Sequence, residues 1–176
     1  MKNSILVFLL TISTTVYCQE EEGEKRKTHY RMTVMMANAH IPSATEVDGD
    51  IPVRIVPTWG LSYDYWLSNK WAIGLHNELF LQQFKIEKSG TDQTVERSYP
   101  VSVSVVGIFK PTKRLAFLAG VGKEFEKHKN FSLICLETEY GFELPDNWEL
   151  NLNLIFESKI HAYDAWTFGV GFSKFF

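Results

Sequence analysis

Seven carboxylates occupy positions that invite a chemical reading: Asp64, Glu78, Glu124, Glu137, Glu139, Glu149 and Glu157. Each lies in a stretch of alternating polarity, on the parity that carries small or polar residues, so an extended chain sends them all to one face. Basic residues of that parity are fewer, chiefly Arg31, Lys110 and His76. Such a face has two chemical uses. It draws cations through a pore, or it closes on itself as a network of ion pairs and hydrogen bonds that fills an interior. Acyl transfer would need a nucleophile, a base and an acid. Ser158 with His161 and Glu157, or His128 with Ser132, supplies the residue types, but neither set sits in a nucleophile elbow or comparable motif. His40, His128 and His161 fall at strand ends without metal-ligand spacing. Phosphate loops, zinc spacings and basic–aromatic arrays are missing from the sequence. The expectation is no catalytic residue, no cofactor and no metal, with Cys135 a small interior filler.

The elements that would position these carboxylates are strands. Alternation with period two returns along the chain, broken each time by turn signals. In WELNLNLIFES, Trp148, Leu150, Leu152, Leu154 and Phe156 oppose Glu149, Asn151, Asn153 and Glu157. The same reading gives eight strands, at about 30–40, 57–67, 71–82, 99–109, 114–126, 132–144, 148–157 and 163–176, and no helix among them. The links at Ser68-Asn69, Pro111-Thr112-Lys113 and Pro145-Asp146-Asn147 suit tight turns. Between these turns lie the other links, 41–54, 87–96, 127–130 and 158–162, most of them longer. All-β, antiparallel and up-and-down is the fold class that follows.

Composition sets the surroundings. At 176 residues with two cysteines and a formal charge of −3, the chain suits one domain without a disulfide framework, and nucleic acid is not an expected partner. Residues 1–18 have a lysine, a short apolar run from Ile5 to Val16, and Val16 and Cys18 at −3 and −1 before Gln19. That is the layout of a cleaved secretory signal peptide. The run falls short of the ~20 apolar residues of a spanning helix. Lipidation of Cys18 is the alternative, and the bulky Tyr17 before it argues against it. Residues 19–28 read as a charged flexible leader, and 29–176 as the folded domain.

Two barrels fit the strands, with opposite polarity. A soluble lipocalin-like barrel buries its apolar parity around a small apolar ligand, whereas a membrane barrel turns that parity to lipid and closes a polar interior. Strand glycines at 60, 74, 120, 122, 141, 169 and 171 share the polar parity. Glycine gains a soluble surface little, but it makes room inside a narrow barrel. Aromatic residues stand at both strand ends on the apolar parity. Tyr30, Tyr65, Trp71, Phe109, Phe117, Phe142, Trp148 and Phe172 or Phe176 form one set, and Trp59, Tyr99, Phe125, Phe156 and Trp166 the other. Two girdles belong to a membrane barrel.

The chain closes on WTFGVGFSKFF, with Phe168, Val170, Phe172 and Phe176 on one parity and Lys174 departing from it. In these features the sequence over about 30–176 resembles the small eight-stranded outer-membrane barrels of the OmpA and OmpX type. The resemblance implies a bacterial outer-membrane location, a porin-like architecture, surrounding outer-membrane lipid, and a terminal strand read by the barrel-assembly machinery. It implies little about activity. The expected function is a non-enzymatic membrane component with a plugged polar lumen, whose loops at 41–54 and 87–96 make surface contacts. A lipid-modifying enzyme on the same fold and the soluble ligand-binding barrel are the alternatives.

Overall fold

A computed structural model describes residues 29–47, 52, 55–87 and 94–176. The signal-peptide and leader readings fall outside the described residues. Eleven strands follow one another: β1 (Tyr30–His40), β2 (Ala44–Thr45), β3 (Val56–Trp66), β4 (Trp71–Phe80), β5 (Gln83–Glu87), β6 (Thr94–Ser98), β7 (Val101–Phe109), β8 (Leu115–Phe125), β9 (Phe131–Leu144), β10 (Trp148–Lys159) and β11 (Tyr163–Phe175). Eight of them close a barrel in the order β1-β11-β10-β9-β8-β7-β4-β3. Every pairing is antiparallel, and β1 closes the circle by bonding both β11 and β3. At about 3.3 Å per residue and a tilt of about 40°, strands of 11 residues rise far enough to cross a hydrocarbon layer.

Turn chemistry fixes one end of the barrel. Ser68 Oγ accepts hydrogen bonds from the amides of Lys70 (3.3 Å) and Trp71 (3.1 Å). Thr112 Oγ1 does the same for Arg114 (3.3 Å) and Leu115 (3.0 Å). Asp146 and Asn147 take φ of 58° and 60°, the left-handed geometry that matches the twist of a short hairpin and that Asp and Asn tolerate.

The outer face is apolar and the inner face polar, the inverse of a soluble barrel. β1 alternates without a break, Arg31, Thr33, Met35, Ala37 and Ala39 buried and the residues between them exposed. Outward residues such as Leu154 (47% exposed), Phe168 (57%) and Val121 (66%) stand clear of any protein neighbour that would cover them. Rings at the strand ends pack across strands, Trp71 on Phe109 (4.6 Å between centroids) and Tyr30 on Tyr65 (5.3 Å) at the turn end, Phe156 on Trp166 (4.7 Å) towards the other. Both sets expected from the sequence therefore lie on the outside.

At the loop end the structure departs from the sequence reading. Residues in and beside the links expected at 41–54 and 87–96 form a second sheet of order β2-β5-β6. β4 stops at Phe80 instead of running to residue 82, and Leu81–Gln82 redirect the chain into β5. Pro100, which has no amide to donate, breaks β6 from β7, while its carbonyl still accepts from Phe80 N at 3.0 Å. Phe84 and Ile86 of β5 are fully buried against Ala39, Val56, Phe80, Phe131, Tyr163 and Ala165, inward residues from the ends of five barrel strands. The small sheet is thus folded over the barrel end. Burial of each large side chain there contributes about 1.5–3 kcal/mol, enough to explain why this segment does not stay in solvent.

Candidate functional site: the barrel interior

The seven carboxylates and three basic residues read from the sequence as an interior network all point inward, and they divide into two clusters. The first lies near the tight turns, because Arg31 begins β1, Glu149 begins β10, and Asp64 and Glu139 come late in β3 and β9. Arg31 is 1% exposed. Its Nε donates to Asp64 Oδ2 at 2.7 Å, and its Nη1 to Glu139 Oε1 at 2.5 Å and Glu149 Oε1 at 3.3 Å. Lys110 Nζ donates to the other oxygen of Glu149 at 2.8 Å. His76 bridges Asp64 (Nε2 to Oδ1, 3.0 Å) and Glu137 (Nδ1 to Oε2, 3.2 Å). Each ring nitrogen of His76 thus faces a carboxylate.

Two glycines make these approaches possible. A Cβ on Gly74 would fall 2.2 Å from Asp64 Oδ1, and one on Gly141 2.6 Å from Glu149 Cδ. Both carboxylates occupy space that any other residue would fill.

The second cluster lies at the loop end, under β5 and β6. Glu124 accepts from Arg97 Nη2 with one oxygen and from the Tyr163 hydroxyl with the other. Lys159 Nζ donates to Glu157 Oε2 at 2.5 Å and stands 3.9 Å from Glu124, and Ser102 Oγ donates to Glu157 at 3.3 Å. The cations rest on rings as well: Lys159 is 5.0 Å from both the Phe80 and Tyr163 centroids, and Arg97 is 4.7 Å from that of Phe131. Beyond the barrel, Arg97 Nη1 donates to the Lys129 carbonyl at 2.5 Å and approaches Glu126 at 3.5 Å. Burial works to raise the Glu126 carboxyl, but hydrogen bonds from the amides of His128 (2.8 Å) and Lys129 (3.4 Å) and from the His128 ring win and hold it below its usual value. A depressed carboxyl stabilises above its unfolded pKa and loses that contribution as pH falls through its folded one. The 126–130 link should therefore loosen on acidification, and amide exchange at His128 measured against pH checks this.

Arg97 and Lys159 correct the sequence reading, in which basic partners were Arg31, Lys110 and His76. Lys159 was legible, since continuing the alternation from Glu149 two residues past Glu157 reaches it. Arg97 belongs to the second sheet and carried no barrel-strand signal. Apolar inward residues also went unexpected: Trp66, Ile108, Leu118 and Phe175 form a buried layer at the turn end. Arg31 and Lys110 lie 5.8 and 5.9 Å from the Trp66 ring.

The arrangements considered for acyl transfer are not assembled. Glu157 faces inward on Lys159, while Ser158 follows it on the opposite face and His161 sits exposed in the link at φ 59°. His128 is engaged by Glu126, and Ser132 faces outward. Cys135 is buried on the inward face of β9 as a free thiol.

No protein-family model matches the sequence, and no curated protein matches it. Solved structures match its fold. OprG of Pseudomonas aeruginosa superposes with a TM-score of 0.59 at 13% identity, over 88% of this chain and 98% of that one. Ail of Yersinia pestis, solved with the heparin analogue sucrose octasulfate, gives 0.52 at 14% identity over 83% and 98%. The neisserial surface protein NspA gives 0.51 at 12% identity over 84% and 97%. Closure by eight antiparallel strands, an apolar outside around a charged inside, and these likenesses together give the chain the fold of a small eight-stranded antiparallel β-barrel, the architecture these outer-membrane proteins share.

Proposed function

We propose that this barrel is a non-enzymatic component of the bacterial outer membrane, with a lumen closed by its own side chains. One observation carries the reading: the interior is crossed by two charge clusters, and β5 lays Phe84 and Ile86 over the loop end. An eight-stranded barrel is only wide enough for its side chains to fill. Ions crossing it would have to break charge-assisted bonds that are already made, in surroundings where lost partners cost several kcal/mol. Surface contacts fall to the 41–54 and 87–96 segments, whose described residues include β2 and parts of β5 and β6. Assembly falls to β11, which carries Phe168, Val170 and Phe172 outward and bonds both β10 and β1, and to the exposed Phe176 that follows it. Purified wild-type barrel in planar bilayers should give no steady current. A stable, cation-selective conductance overturns the closed reading, and Glu78, Glu137 and Glu139 are then the first residues to neutralise.

A further inference from the structure

Gly107 is the one described glycine that faces out of the barrel wall. A Cβ on any of the other seven would come within 3.1 Å of a neighbour, whereas one on Gly107 would meet only the Ala119 carbonyl, at 3.8 Å. No described residue needs the space that Gly107 leaves. Glycine inside a strand weakens it, and marks places where something approaches the backbone closely. On this face the approach comes from outside the chain.

Register shows what lies beside it. Gly107, Ala119, Leu136, Phe156 and Trp166 are successive cross-strand partners from β7 to β11. Trp71, Phe109, Phe117, Thr138 and Leu154 form the neighbouring row, two residues nearer the turns. The small residues at 107, 119 and 138 leave a furrow of about 600 Å³, with rings and leucines along both sides. Gly107 lies near the β7–β8 turn and Trp166 near the loop end, so the furrow climbs obliquely across the outer wall. That path suits an extended hydrocarbon chain.

Charge selects the rest of the ligand. At the turn end, Trp71 follows a turn that holds Lys70, and Phe117 one that holds Lys113 and Arg114. Lys110 N donates to the Lys70 carbonyl at 2.8 Å, so the two turns stand side by side. All three basic residues are exposed, and neither turn holds an acid. Glu143, which faces Arg114, and Asp146 belong to the next hairpin. Short turns lie on the periplasmic side of such barrels, and basic residues at a membrane surface attract anionic headgroups. A second copy fits less well, because two barrels inserted the same way would bring these basic turns together.

We infer that the furrow seats an acyl chain of one anionic phospholipid, whose phosphate lies against the Lys70 and Lys113–Arg114 turns. The site rests on the membrane reading of the outer face and is independent of whether the lumen is closed.

The test titrates the whole purified barrel in detergent with phosphatidylglycerol or phosphatidylcholine, reading bound lipid and oligomeric state by native mass spectrometry. One phosphatidylglycerol should bind about tenfold more tightly than phosphatidylcholine, the order set by two or three basic residues beside an anionic headgroup. Lys70→Gln with Lys113→Gln should bring the two lipids level. Gly107→Leu, which fills the furrow and keeps the charges, should remove the single tight site. Both variants should keep the heat-dependent gel mobility of a folded barrel. Equal binding of the two lipids by the wild type overturns the inference. So does a preference that survives the lysine substitutions, or one that Gly107→Leu leaves untouched. A dimer that Gly107→Leu dissolves also overturns it and gives the furrow to a second copy. Insertion into phosphatidylcholine liposomes is scored separately. A barrel that inserts without the preference loses this site and keeps its membrane reading, whereas one that fails to insert loses both.

Discussion

Arg31→Met should cost the barrel about 3–5 kcal/mol, the range for removing one partner of a buried ion cluster. The guanidinium is the shared partner of Asp64, Glu139 and Glu149, and the loss falls unequally on them. Asp64 keeps His76 and Glu149 keeps Lys110, whereas Arg31 is the one cation paired with Glu139 among the ion pairs of the described residues. Glu139 would be left without its cationic partner at 2% exposure. Folded domains hold about 5–15 kcal/mol in all, so the loss takes a large share. Urea titration of the folded fraction, read by gel mobility, measures it. Arg31→Lys should recover only part, because a point charge cannot reproduce a planar fork that reaches three carboxylates. Adding Glu139→Gln to Arg31→Met should recover more, since it removes the stranded charge and keeps the shape. Wild-type stability in Arg31→Met would mean that the cluster does not hold the interior together.

Much of this architecture was legible because the barrel enforces one rule on every strand. A side chain in β10 has only lipid or lumen to face, so Leu150, Leu152 and Leu154 part from Asn151, Asn153 and Glu157 without exception. The carboxylate positions followed from that rule alone. What the rule does not govern was not legible. Trp66 and Phe175 are large and apolar yet face inward, because the ends of a barrel need closing and rings do so while stacking on Arg31. Alternation reports only which side a residue takes, not what that side needs at a given depth. The small sheet was hidden for another reason: Gln83–Glu87 and Thr94–Ser98 are five residues each, and their tertiary packing on the barrel end outweighs any local signal. Pairing within the interior was out of reach as well, since it joins Arg31 to residues 108 and 118 positions away.

The face assignment can be tested on Leu152, which points outward between Tyr140 and Val170 and is flanked along its strand by Trp148 and Phe156. Leu152→Arg should destabilise by about 2–4 kcal/mol near the bilayer midplane. Its surroundings decide the sign. On a barrel bathed in water, an arginine at this outward position would replace an exposed leucine at little cost, so a large loss requires hydrocarbon. Asn153→Ser, one residue on, is the internal comparison: Asn153 faces inward at 2% exposure with Nδ2 3.5 Å from Met35 Sδ, and trimming a weakly bonded amide should cost less than the arginine. Stability is to be measured in liposomes and labelling kept separate from it. Single cysteines at 150, 152 and 154, in a Cys135→Ser background, should resist water-soluble maleimide and respond to lipid-borne quenchers. Ready modification of position 152 from water, with no quenching from lipid and no loss of stability in Leu152→Arg, would show that the apolar face does not meet a bilayer.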